Sequence, residues 1–438
     1  MIHKIALRNT IKNWRHSVSV LLSLSISFVS LVLFDGYMDD IEKMYTETFK
    51  HRQMLGDLVI ENSKITSKEG IQEPWKFLIT KDQQIKIDQY LLEHQNDVAA
   101  NVQSLQFQGL LTNGVRDQII IGRGFSLESA AVMRGDHWRW NTLFGEPMNL
   151  IKSDFIANLG QGLAKKLNCD FSKDKSFILP GGFYKPEVRP FKCLEADYQI
   201  STSTVDGQMN AIDLKITGIV DGGYKDIDDR YIQTSLKSAQ NLMNTESITS
   251  YAVELNKKVS VAEFIKDLNQ FFDREIKDIV AVRWQDYRMA EMYKQTRDFL
   301  SIFKFFIIIV IVVVSTLSVI NTMIKTVKER TREIGTLRSI GFKSMQIVQM
   351  FLIESFYLSV IGGLLGCVLS LIMTVLLNIL NLKYKAGLLS EAVAFRISFS
   401  AVFYVYAFLL LMTVSILACF ISTRSILKSK IVDNLNYV

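Results

Sequence analysis

Four stretches of this chain run without a charged residue for long enough to cross a bilayer: Ser17 to Phe34, Phe305 to Ile324, a span within Ser355 to Leu382 and one within Ile397 to Thr423. A hydrocarbon core needs about 20 helical residues to cross it, and backbone inside lipid has to satisfy its own hydrogen bonds, so these stretches predict membrane helices. The first could also be read as a secretory signal behind the basic leader Met1 to Arg15. Its 18 residues exceed the roughly 7–15 of a signal core, and it runs into Phe34-Asp35-Gly36-Tyr37 with no small-x-small exit, so we read a retained anchor.

Charge separates the chain into two populations. Of 50 basic and 44 acidic residues in the 438, seventeen basic and five acidic lie outside 35–298, leaving that interval net negative and the remainder strongly positive. The basic residues do not form the dense face that nucleic acid requires, and no nucleic-acid partner is expected. Lys4, Arg8, Lys12 and Arg15 precede the first span without an acid, Lys325 to Glu354 holds six basic residues against three acidic, and Arg424, Lys428 and Lys430 face only Asp433. Short basic segments stay in the cytoplasm while long loops translocate largely regardless of charge. The expected protein is therefore an α-helical membrane protein of four transmembrane helices, one plus three. A large mixed α/β extracytoplasmic domain is inserted between helices 1 and 2, and both termini are cytoplasmic.

The boundaries follow. Residues 1–16 form a cytoplasmic amphipathic helix, 17–36 the first span, 37–298 the outer domain, 299–324 the second span and 325–349 a cytoplasmic coupling helix. Residues 350–382 form the third span, 383–396 a short outer loop, 397–423 the fourth span and 424–438 a cytoplasmic tail. Within the outer domain, strands are expected at Asp57 to Glu61, Gln118 to Gly122, Ser176 to Leu179, Leu214 to Val220 and Tyr251 to Leu255. Helices are expected at Gln83 to His94, Asp154 to Leu167, Ser235 to Leu242 and Val261 to Phe272. At its ends, Ile41, Met44, Tyr45, Thr48 and Phe49 repeat at helical spacing, as do Met289, Met292, Tyr293, Thr296 and Phe299. We read these as paired stalks continuing spans one and two, with Met44, Tyr45, Met292 and Tyr293 lining a substrate cleft. Helices lying on the lipid surface are the weaker alternative, because both stripes carry acids as well as bases.

Motifs for chemistry are missing. No G-x-x-x-x-G-K-[ST] loop, H-E-x-x-H spacing, Cys/His cluster or G-x-S-x-G elbow occurs, so the chain offers no catalytic, cofactor or metal residues and no sign of being an enzyme. Asp226, Asp228 and Asp229 lack calcium-loop spacing and read as a solvated acidic turn. Cys169 and Cys193 could pair in an oxidising compartment or be buried singly. The spans hold no ionisable group at mid-depth; Lys304 and Glu354 sit at ends, within reach of water. Ser19, Ser23 and Ser27, with Gly362 and Gly366, form small-residue seams for helix packing, within the bundle or between two copies.

The cytoplasmic piece is the most specific. In Glu329-Arg-Thr-Arg-Glu-Ile-Gly-Thr-Leu-Arg-Ser-Ile-Gly341, a charged shoulder precedes Ile334, Leu337 and Ile340, and Gly341 stands where a helix closes. This segment resembles the signature of the FtsX-like permeases, membrane subunits of ABC systems that include MacB and the lipoprotein-releasing LolC and LolE. Ile5 to Arg15 resembles the family's basic N-terminal helix, while Ile431-Val-Asp-Asn-Leu435 lacks the proline of its closing motif. Leu214 to Leu242 looks most like the lipoprotein-release branch.

The resemblance implies that Glu329, Arg330, Arg332, Glu333, Ile334, Leu337, Arg338 and Gly341 couple to a separate ABC ATPase subunit, which carries ATP and Mg. It further implies that a second permease chain, identical or related, pairs with this one in a bacterial inner membrane, and that the outer domain is a core lobe with a second lobe inserted. The expected function is mechanotransmission: ATP hydrolysis elsewhere moves the outer domain to extract or export lipoproteins or other lipid-like substrates. Lifting one acyl chain of roughly 16 carbons from lipid costs on the order of 12 kcal/mol, which calls for a motor. The alternatives are a transmitter activating a periplasmic peptidoglycan hydrolase, disfavoured by the size of the insert, and an efflux permease working with a periplasmic adaptor.

Overall fold

The computed structural model describes residues 14–172, 176, 178–179, 183–195, 197–384 and 393–426. In chain order its elements begin with α1 (Trp14–Glu47), β1 (Leu58–Asn62), α2 (Lys68–Gln72), α3 (Lys81–Glu93), β2 (Val98–Thr112), β3 (Asp117–Phe125), α4 (Leu127–Trp138), β4 (Thr142–Gly145), β5 (Ile156–Gly160) and α5 (Gln161–Lys166). They continue with β6 (Asp170–Phe171), β7 (Phe191–Lys192), β8 (Asp197–Ser203), β9 (Met209–Val220), α6 (Lys225–Asp228), β10 (Tyr231–Ser235), α7 (Leu236–Met243), β11 (Ser250–Leu255), α8 (Val261–Glu275) and β12 (Ile279–Arg283). The last are α9 (Glu291–Glu329), α10 (Thr331–Ser339), α11 (Ser344–Leu380), β13 (Lys383–Tyr384), β14 (Val393–Ala394) and α12 (Ala401–Ile426).

They assemble into two compact units, one of residues 14–42, 297–382 and 395–426, the other of 43–296 with 383–384 and 393–394. Helices α1 and α9 contribute to both.

The first unit is a helical bundle. Helices α1, α9, α11 and α12 are each long and apolar enough to cross a membrane. At 1.5 Å per residue, the 34 residues of α1 and 39 of α9 reach about 51 and 58 Å, well past a hydrocarbon core of about 30 Å. Small residues set the closest approach. A Cβ on Gly366 would stand 2.7 Å from Phe28 Cβ, and one on Gly362 3.1 Å from Leu24 Cβ, so α11 lies directly on α1. Ser25 donates to the Gly362 carbonyl at 2.9 Å and Ser23 to Ser318 of α9 at 2.8 Å. The glycine seam is therefore used within the chain. The serine seam runs differently from the expected one: Ser23 and buried Ser27 belong to it, whereas Ser19 faces outward and Ser25 takes its place.

Of the two end groups, Lys304 stays in reach of water and Glu354 does not. Lys304 of α9 is ion-paired with buried Asp35 of α1. Glu354 does not reach for water; it is buried and paired, as described below. A carboxylate there stays inside because a cation is brought to it.

The second unit is α/β, with a ten-stranded sheet of which nine strands run in the order β12-β1-β11-β2-β3-β10-β5-β9-β4 and the tenth, β8, pairs with β2 and β9. Its first four strands are mutually antiparallel and, with α3 after β1 and α8 after β11, make a βαββαβ lobe of ferredoxin-like order. Phe264, Leu268 and Phe272 of α8 and Ile87, Tyr90 and Leu91 of α3 bury the face carrying Leu58, Ile60, Tyr251 and Val253. On the opposite face, Val59 packs with Phe49, Trp284 and Tyr293. Covering both faces explains why Leu58-Val-Ile60 is an unbroken apolar run.

Everything between β2 and β11 is an insert. In it β8 pairs with both β2 and β9, so β2-β3-β10-β5-β9-β8 closes into a six-stranded barrel. Leu105, Phe107 and Leu111 of β2, Ile120 of β3, Leu159 of β5, Ile200 of β8 and Leu214 of β9 belong to one buried cluster, the alternate-residue pattern a closed sheet requires. A disulfide joins Cys169 to Cys193.

Four sequence expectations change here. Asp154 to Leu167, expected as one helix, is strand β5 followed by the single-turn α5. Of Ser176 to Leu179, partly outside the described residues, the structure shows an isolated bridge from Ile178 to Tyr184. Strand β2, the longest among the described residues, was not anticipated. Asp228 is not solvated: its carboxylate accepts the N–H groups of Gln161, Gly162 and Gly222 at 2.8–3.0 Å, and burial raises its pKa to about 6. Its neighbour Asp229 pairs with Lys166 at 3.0 Å.

Candidate functional site

The segment linking α9 to α11 carries the densest arrangement of charge in the bundle. Helix α9 ends at Glu329 because Arg330 leaves helical geometry, with φ −97° and ψ 13°. Thr331 secures the break by donating its hydroxyl to the Lys328 carbonyl at 2.7 Å, satisfying an acceptor a helix end leaves open. Helix α10 closes at Gly341, whose φ of +105° a side chain would oppose. The backbone N–H of Lys343 donates to Gln346 Oε1 at 2.9 Å as α11 begins.

Arg330 is the fulcrum of this turn. Its Nε donates to Glu333 at 3.0 Å, its Nη1 donates to Glu354 at 3.0 Å, and its guanidinium lies 5.1 Å from the centre of the Phe351 ring. The Arg330 and Glu354 side chains are only 8% and 5% exposed. Charges removed from water need partners of this quality, and the planar guanidinium can serve two carboxylates and a ring at once. One turn on, Ile334 is buried in the cluster with Val20, Val327 and Phe351, and Leu337 packs against that cluster. Helix α10 is thus clamped to α11 by an ion pair and by apolar contact.

These contacts divide the residues expected to couple to a partner. Arg330 and Ile334 turn inward and hold α10 in place, so they cannot themselves form a contact surface. Glu329, Arg332 and Glu333 are exposed, Leu337 and Arg338 are half-buried, and Gly341 is exposed at the closing turn. Ile340 is 72% exposed and Met345 of α11 is exposed as well. The apolar stripe read as one edge is therefore split, with Ile334 inside and Ile340 outside. Buried Glu354, taken from sequence for an end group, is the partner that makes this arrangement hold; its i+24 spacing from Arg330 gives no local signal.

The stalk residues also part company. In the α/β unit Tyr293 is buried, its ring 4.7 Å from Trp284, 5.5 Å from Phe49 and 6.3 Å from Tyr45. It pairs the two stalks and does not line a cleft. Tyr45 is half-buried beside it, Met44 is half-buried and Met292 is exposed. Where α1 gives way to a π-helical turn, Thr48–Arg52, three successive cations meet acids: Lys50 with Asp57 at 2.9 Å, His51 with Glu47 at 2.9 Å and Glu254 at 3.1 Å, and Arg52 with Asp221 at 2.9 Å. Cations at a helix C-terminus also suit its dipole. This collar, invisible from spacing alone, seats the end of α1 in the sheet. No group of three His, Cys, Asp or Glu side chains suited to a metal occurs among the described residues.

Residues 305–431 match the FtsX-like permease C-terminal family. The chain is 36% identical over 129 residues to the pyoverdine export ATP-binding/permease protein PvdT of Pseudomonas syringae pv. tomato, covering 28% of this chain and 18% of that protein. It is 25% identical over 181 residues to the macrolide export ATP-binding/permease protein MacB of Bdellovibrio bacteriovorus, covering 39% of this chain and 28% of that one. The matches thus span less than a third of these relatives' length. The crystal structure of the periplasmic region of MacB from Actinobacillus actinomycetemcomitans aligns over 56% of this chain and 92% of its own, at 12% identity and a TM-score of 0.34, which by itself fixes nothing. The likeness to FtsX-like, MacB-type ABC permeases is borne out, and none of these matches singles out the lipoprotein-releasing branch.

Proposed function

We propose that this chain is the membrane subunit of an ABC system in which a separate ATPase drives α10, and in which α1 and α9 pass that motion to the α/β unit on the outer face. The reading rests on one observation. A short helix between two membrane-length helices presents Arg332, Glu333 and Ile340 to solvent while Arg330, Glu354 and Ile334 fasten it from behind. A surface that is charged and apolar outside, and rigid inside, can receive force without yielding.

On this reading the topology is one helix, a large outer domain, then three helices, with both termini in the cytoplasm of a bacterial inner membrane. The positive segments around the helices support it, and the Cys169–Cys193 disulfide fits an oxidising outer compartment. A second permease chain completes the assembly, and the cargo is a lipoprotein or another lipid-like molecule handled outside the bilayer. Both quoted relatives are named as exporters, which supports outward movement of cargo.

The exposed positions supply the test. Arg332→Glu and Ile340→Asp leave the buried clamp untouched, so the variants insert and fold. Each is expected to abolish co-purification of the ATPase and its stimulation by the permease. Retention of both in the folded double variant would discard the docking role of α10.

A further inference from the structure

Where the two lobes of the α/β unit meet there is a cavity of about 870 Å³, within the range of small-molecule sites. It opens where the edge of β2 changes partner, from β11 up to Ser104 to β8 from Leu110. Between them the strand is held by side chains: the Gln106 N–H donates to Thr249 Oγ1 at 2.9 Å, and the Thr202 hydroxyl donates to the Gln108 carbonyl.

The outward faces of β2 and β3 should be polar here, since their alternate residues already fill the barrel. Gln106 and Gln108 meet that expectation, but Leu110, Ile119 and Ile121 point out and are exposed, and Ile71, Trp75 and Met209 join them around the cavity. Six large apolar side chains converge on one hollow, more than scattered surface exposure accounts for. The charge is equally one-sided: the walls contain one cation, Arg288, and no Asp or Glu. Six exposed apolar side chains set among neutral polar groups from Gln106, Gln108, Thr249 and residues 201–204, with a single positive charge, are complementary to a hydrocarbon tail with an anionic head.

We infer that this cavity binds one acyl chain of an anionic amphipath, which the α/β unit shields from water while the cargo is outside the bilayer. The inference rests on the proposed function for its source of acyl chains and on the cavity for its chemistry. The tail lies along Leu110, Ile119 and Ile121 against Trp75 and Met209, and Arg288 serves the head.

Photo-crosslinking of the full chain in nanodiscs tests it with two probes. One is disc phosphatidylglycerol bearing a diazirine in its acyl chain. The other is a soluble acidic peptide bearing a diazirine palmitoyl group. Label on peptides covering 71–78, 106–121 and 201–209 supports the site, the first probe pointing to bilayer lipid and the second to a chain presented on a protein. Ile119→Glu and Met209→Glu each replace an exposed side chain, 70% and 76%, and should reduce that label by about fivefold or more, because a charge must be desolvated to admit the tail. Label confined to α1, α9, α11 and α12 with both probes, or label unchanged in both variants, overturns the site. Should that occur while Arg332→Glu still releases the ATPase, the permease reading stands and the acyl site alone falls.

Discussion

At the scale of single residues, two buried carboxylates carry opposite lessons. Glu354 is matched by Arg330, so Arg330→Ala leaves an uncompensated charge and is expected to destabilise the bundle by about 3–5 kcal/mol, whereas Arg330→Met with Glu354→Leu should be near neutral. Thermal unfolding of the three proteins in nanodiscs checks the order. The double variant also separates stability from transmission, since it should fold and bind the ATPase while stimulating it less. Glu61 of β1 is 5% exposed and burial lifts its pKa to about 7, against a smaller opposing pull from Arg288. Its folded pKa lies above the unfolded one, so its contribution is fully present below about pH 4.5 and is lost as pH rises through 7. Asp228 acts in the same sense through about pH 6. The α/β unit should therefore melt at a higher temperature at pH 5.5 than at pH 8. Glu61→Gln should raise the pH 8 value and flatten the profile; an unchanged profile would exclude Glu61 as its source.

At the scale of elements, the contact between α1 and α11 depends on two missing side chains. Gly366→Leu would drive its side chain into Phe28 and is expected to cost about 1–3 kcal/mol by overpacking. Ser19→Leu, on an outward face, should cost nothing measurable in the same assay. Much of this was legible in the sequence: membrane helices announce themselves by length without charge, and α8 by Phe264, Leu268 and Phe272 at four-residue steps. Strand β2 was not, because Asn101, Gln103, Gln106 and Gln108 interrupt it and its buried positions switch from even to odd numbers at Ser104–Leu105, which breaks the two-residue period. Of the candidate site, the charged shoulder and closing Gly341 could be read locally. The inward turn of Arg330 could not, since its partner is supplied by the next helix.

For the whole molecule, the proposed topology is what labelling from the two sides of the membrane tests. Single cysteines at exposed Asp117 in the barrel lobe and exposed Arg332 in α10 should react with an impermeant maleimide on opposite faces of sealed vesicles; reaction on one face would refute the topology. Replacing Cys169 and Cys193 by Ser should lower stability by about 2–4 kcal/mol, and reductant should produce the same fall in the unsubstituted protein. One strand decides how the α/β unit comes apart. Residues 98–104 of β2 are bonded to β11 and 104–112 to β3, so neither lobe can be unravelled without stripping a strand from the other. On heating, both should disappear in a single calorimetric peak, and deuterium should reach the amides of Val102 to Gln108 last of all.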